Sequence, residues 1–163
     1  MDRARIDMQE NWRDGKCPAC NGIIFPTGQI VANALKWFDT TEDNVYQIRC
    51  VSSETETIDL NANSSDIDWT DISAFYEVRD YTKNLMIECG ESSIDGAHGF
   101  VAVSNLRENE FRWIAYFCDS NPFRVCELHE TSVIAESTLG IQLRFPIDSP
   151  EHVEVLSQII KIE

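Results

Sequence analysis

No stretch of this 163-residue chain comes near the roughly 18 consecutive apolar residues that a membrane-spanning helix needs; its first apolar run is only Ile23 to Phe25. That run is also too short for the hydrophobic part of a secretory signal, so the expected compartment is the cytoplasm and no membrane partner is expected. Cations are scarce. Lys and Arg number 13 against 28 Asp and Glu, for a formal net charge of −15 and a sequence pI near 4.4. Such a balance repels phosphates unless one face gathers the cations, and none of the 13 is gathered in that way, which argues against direct nucleic-acid binding. Gly and Pro are few, and no internal repeat or low-complexity tract is present. Catalytic signatures are missing too: there is no Gly-x-Ser-x-Gly, no Gly-rich phosphate loop, no His-Glu-x-x-His and no dinucleotide fingerprint. The expectation is a protein that is not an enzyme and carries no cofactor.

What remains is ordinary globular composition, with 43% hydrophobic and 25% charged residues, which excludes disorder as the main state. The length suits one domain over residues 1–163, in three parts. Residues 1–44 read as helical. Thr27 can cap a helix in which Ile30, Val31, Ala34, Leu35 and Phe38 recur at helical spacing, with acids from Asp39 to Asp43 at its end. Residues 45–148 read as strands: Val45–Val51, Thr55–Leu60, Ala74–Asp80, Leu85–Cys89, Phe100–Val103 and Phe111–Phe117 are candidates, and alternation recurs around Phe123 and from Leu139 to Ile147. From about residue 97 onward, short turns separate successive strands, as in an antiparallel meander. Period two puts Phe111, Trp113, Phe117, Phe123, Leu143 and Phe145 on one buried face. Residues 149–163 start with Ser149-Pro150-Glu151, a good helix opening, and Val153, Leu156, Ile159 and Ile160 share a helical face, so a C-terminal helix is preferred over a strand. The fold expected is therefore α+β: a large antiparallel sheet (meander) with N-terminal helices and a C-terminal helix packed on it.

Six Cys stand at 17, 20, 50, 89, 118 and 126. In a reducing compartment they are expected as thiols or metal ligands. Cys17-Pro18-Ala19-Cys20-Asn21-Gly22 has the form of half a zinc-ribbon knuckle, but a structural zinc needs four ligands. Cys50, Cys89, Cys118, Cys126, His98 and His129 are single candidates that would have to converge to complete the set. A turn bearing two thiols meets the same spacing and is the reading adopted, with a zinc-supported module as an alternative. Cys50, Cys89, Cys118 and Cys126, in apolar or alternating surroundings, read as core filler. Asp59, Asn61 and Asn63 begin like a calcium loop, yet Ser64 replaces the turn Gly and Thr70 the bidentate Glu, so a polar loop with Asx turns is expected. His98, in Ala97-His98-Gly99, could serve a small hydrolase, a second alternative.

The strongest signal is the distribution of charge. Between Arg49 and Arg79 there is no Lys or Arg, while Glu54, Glu56, Asp59, Asp66, Asp68, Asp71 and Glu77 all fall there. Self-repulsion among so many carboxylates opposes folding, which suggests a use for them. Asp66, Asp68 and Asp71 surround Trp69, an indole that serves equally as interface anchor or as a tie from the loop to the core. Glu54, Glu56, Asp59, Asp66, Asp68, Trp69 and Asp71 are thus the candidate partner-binding residues, and a basic protein is the expected partner.

In its build and in the acidic Glu54–Asp71 region, the chain resembles bacterial immunity proteins such as those of contact-dependent growth inhibition systems. The resemblance implies a monomer that neutralises a nuclease toxin domain by occluding its active site or substrate-binding surface, the acids standing in for nucleic-acid phosphates.

Overall fold

A computed structural model describes residues 6–40, 45–62, 67–94, 96–157 and 159–160; for residues 52–56 and 159–160 only the strand path is described. Strand accounts for 59% and helix for 4%. A nine-stranded antiparallel sheet runs in the order β1 (Lys16–Pro18), β5 (Trp69–Asp80), β6 (Leu85–Ser92), β7 (Gly99–Asn105), β8 (Glu110–Phe117), β2 (Gly22–Ile24), β3 (Gln29–Asp39), β4 (Val45–Asp59) and β13 (Ile159–Ile160). A second antiparallel sheet of four strands runs in the order β12 (Glu154–Val155), β11 (Gln142–Pro146), β10 (Ser132–Ser137) and β9 (Phe123–His129). The single helix among the described residues is α1 (Met8–Arg13), where Asp7 caps the first turn by accepting from Glu10 N at 3.0 Å.

The large sheet is covered on both faces. Between the two sheets lie Leu35, Ile87, Val101, Val103, Trp113 and Phe117, packed against Phe123, Val133, Leu143 and Phe145. On the opposite face Ile24, Ile30, Phe100, Ala102, Ile114 and Tyr116 meet Met8 and Trp12 of α1, Cys17 of β1 and Leu60. Trp12 stands edge-on to Phe100 at 6.3 Å. A strand buried on both sides shows a continuous apolar run instead of alternation, and β7 and β8 carry such runs. No helix among the described residues is long and apolar enough to cross a membrane.

The expected α+β class is overturned: apart from α1, the described N-terminal part and C-terminal segment hold strands and turns and no further helix. Residues 29–39, expected as a helix, form β3. The apparent helical spacing has two physical sources. Ile30 faces α1 whereas Leu35 faces the second sheet, and the register against β4 shifts between Val31 and Asn33, so burial follows neither period cleanly. Thr27, expected as a helix cap, sits in a three-residue hairpin loop. Gly28 N donates to the Phe25 carbonyl at 3.0 Å and Phe25 N to the Gln29 carbonyl at 2.9 Å, and Gly28 takes φ +87°, the left-handed conformation that closes such loops. Ser149-Pro150-Glu151 opens a turn, with His152 N donating to the Ser149 carbonyl at 3.1 Å, and the chain then adds β12 beside β11 and β13 beside β4. Phe111 is buried, but on the α1 side. A register shift between β7 and β8 at Val103/Ser104 places Arg112 in a bulge and turns Phe111 to the other face.

Candidate functional site

β1 is only three residues long, yet it fixes the end of the large sheet where the expected partner-binding residues fall. Lys16, Cys17 and Pro18 stand opposite Asp71, Thr70 and Trp69. Ala19 N donates to the Asp68 carbonyl at 2.8 Å and Ile72 N to the Gly15 carbonyl at 2.9 Å. From the next loop, Ser93 N donates to the Asp71 carbonyl at 2.9 Å, and the hydroxyl of buried Thr70 meets that of Ser93 at 3.2 Å. Backbone hydrogen bonds on both sides thus hold residues 68–72 in one path.

On this frame Asp68 and Asp71 are exposed and Trp69 is half-buried, its ring packed against the cluster of Met8, Trp12 and Leu60. Trp69 therefore ties the strand to the core while keeping part of its indole at the surface. Asp59 is exposed at the end of β4, where its carboxylate accepts from Asn61 N at 2.9 Å in an Asx turn. Asn61, the third position of the calcium-like loop, is engaged elsewhere: its side chain accepts from Ile6 N at 2.9 Å and donates to the Thr27 carbonyl at 3.2 Å. Glu54 and Glu56 lie along β4, but their side chains, and Asp66 altogether, lie outside the described residues. The structure thus brings Asp68, Trp69 and Asp71 together on one strand end, with Asp59 beside Leu60 of the same core cluster. It also supplies a cation that chain order hid, since Lys16 stands directly across the ladder from Asp71, where opposite charges attract.

A second group of side chains converges under the same end. Gly22 pairs with Tyr116 and Gly99 with Phe117, so one or two residues further along, Cys20 and His98 come level with Cys118 on either side. Cys118 N donates to the Asn21 side chain at 2.8 Å. Tyr116 is buried, its hydroxyl donating to Ser92 Oγ at 2.7 Å and meeting His98 Nδ1 at 2.7 Å. None of the six cysteines is in a disulfide. Burial, then the neighbouring Cys118, pushes the Cys20 thiol up to about 12; burial, then Cys20, also raises Cys17. Tyr116 is raised as well, by burial first, although its bond to Ser92 acts the other way. Cys17, Cys20 and Tyr116 therefore stay protonated at neutral pH, and neither of these two thiols is a thiolate nucleophile. Among the described residues, no three or more His, Cys, Asp or Glu side chains are arranged to hold a metal ion.

Sequence reasoning missed this convergence because the pairing of β2 with β8 joins segments more than ninety residues apart. The Cys-x-x-Cys spacing marks one member and nothing local marks the others. No family model, curated protein or solved structure matches the chain.

Proposed function

We propose that this chain is an acidic binding protein that neutralises a basic protein partner, in the manner of an immunity protein covering the active site or nucleic-acid-binding surface of a nuclease toxin. The observation that carries this reading is the braced strand end at Asp68, Trp69 and Asp71. The ion pairs among the described residues commit five arginines to other carboxylates, and none of those pairs involves Asp59, Asp68 or Asp71. Exposed carboxylates outside those arginine pairs raise the rate of encounter with a positively charged surface. A backbone already fixed by hydrogen bonds loses little freedom on binding, which favours affinity. The partly exposed indole of Trp69 offers the apolar contact that carboxylates cannot.

The test is capture of the partner from a lysate of the source organism, followed by a nuclease assay with the purified pair. Nuclease activity falling to background at an equimolar ratio is expected. A captured partner whose activity is untouched by excess of this chain would contradict the inhibitory role.

A further inference from the structure

The two long edges of the large sheet are finished differently. Beyond its short pairing with β13 at Val45 and Tyr46, the second half of β4, residues 52–59, holds the acids Glu54, Glu56 and Asp59 and no Lys or Arg. Charge of one sign along an edge discourages a second strand from adding to it. The outer edge of β5 is not guarded in this way. β1 covers β5 only at Trp69–Asp71. From Ser73 to Asp80, β5 has β6 on one side and no paired strand among the described residues on the other. Large apolar rings crowd this open stretch: Phe75 is 48%, Tyr76 45% and Tyr81 67% exposed. A groove of about 440 Å³ runs beside it, floored by Val78 of β5 and Leu128 of β9.

The order of side chains along this edge is self-complementary. Glu77 and Arg79 flank Val78 and already pair within the strand at 2.5 Å. If β5 meets a second β5 antiparallel about a twofold axis at Val78, each Glu77 falls opposite the Arg79 of the other copy. Tyr76 then falls opposite Asp80. The two charge pairs lie side by side with opposite polarity, and opposite charges facing each other across a strand pair stabilise a ladder. An isologous twofold contact requires this self-complementarity.

We propose that two copies of this chain associate by antiparallel pairing of their β5 edges over Tyr76–Asp80, extending the large sheet across a twofold axis at Val78. The bulge at Phe75, where the register against β6 shifts between Ala74 and Tyr76, ends the regular ladder there. The contact is short, which places the dimer at the weak, concentration-dependent end of protein interfaces. Each copy carries a charge of −15, but charges more than about 8 Å apart are largely screened at physiological ionic strength, and the edge itself alternates in sign. The dimer departs from the monomer expected from the sequence, and one experiment decides between them. It stands apart from the acidic-surface reading, since Asp68 and Asp71 lie at the other end of β5.

The test is sedimentation at physiological salt over a wide range of concentration, on the full chain and on Glu77→Arg and Arg79→Glu. The wild-type mass should climb from 18.6 kDa toward twice that value. Either variant alone places like charges opposite each other and should stay at the monomer mass. An equimolar mixture of the two variants restores opposite charges at every position and should recover the dimer. A wild-type mass fixed at 18.6 kDa at all concentrations would overturn the proposal, as would single variants that associate as readily as the wild type.

Discussion

Trp113 lies between the sheets at 1% exposure, its ring 5.7 Å from that of Phe145 and its Nε1 donating to the Ile147 carbonyl at 2.9 Å. Truncation removes a large apolar volume and strands that carbonyl, so Trp113→Ala should cost about 3–5 kcal/mol of unfolding free energy in a denaturant titration; a loss no larger than that of a surface control would contradict the packing. Glu88 offers a test of opposite sign. It stands across the ladder from Glu77, and burial, then Glu77, raises its carboxyl above the ordinary 4.5, with Arg79 pulling the other way. The folded state therefore holds this proton more tightly than the unfolded chain. Protonation stabilises the fold, and that stability is lost as pH rises through the raised value. Glu88→Gln should raise the thermal midpoint at neutral pH, and the gain should shrink below the ordinary carboxylate range, where Glu88 is protonated in both states; a gain independent of pH would refute the assignment. Alternation along the strands signalled that Trp113, Phe117, Phe123, Leu143 and Phe145 are core. It could not signal Phe111's change of face, which depends on a single bulged residue.

Strands were legible wherever one face is polar or turn formers stand nearby, as in β6 and β11. Two strands covered on both faces, β7 and β8, were legible as well, but β3 was not. β3 carries apolar side chains toward α1 and toward the second sheet, and that mixture imitates helical spacing. β10 escaped notice because Val133 and Ala135 form only a brief alternation between the longer patterns of β9 and β11. Pro26 and Gly28 could have revealed the β2–β3 hairpin, since Pro at the second turn position and Gly at the left-handed one are its usual signature. Close approach between strands gives a further check. A Cβ on Gly90 would lie 2.0 Å from the Ser73 carbonyl oxygen and 2.9 Å from Ala74 Cα, both backbone atoms that cannot swing away. Gly90→Ala should therefore displace the start of β5 from β6 and cost at least the roughly 1–3 kcal/mol typical of overpacking. Proteolysis of the folded state should report the change at β5, and an undisturbed β5 with unchanged unfolding would contradict this register.

At the scale of the molecule, the acidic character legible in composition acquires a place. Ion pairs anchor most arginines elsewhere, while Asp68 and Asp71 are presented beside Trp69 on a strand end braced by β1 and by Ser93. The sequence could not disclose the bracing, because it comes from segments about fifty residues upstream and twenty downstream. Lys16 opposite Asp71 likewise softens a charge run that looked unbroken along the chain. Charge steering acts on the rate of encounter and falls with salt, whereas an apolar anchor acts on dissociation. The measurement that tests the account most directly is the binding kinetics of the captured partner with wild type and with the double variant Asp66→Lys/Asp68→Lys, each at low and at physiological salt. A lower association rate for the variant, with a flatter dependence on salt and a dissociation rate close to wild type, is the result expected. Association rates that match the wild type at both salt concentrations would contradict the acidic surface as the site of recognition.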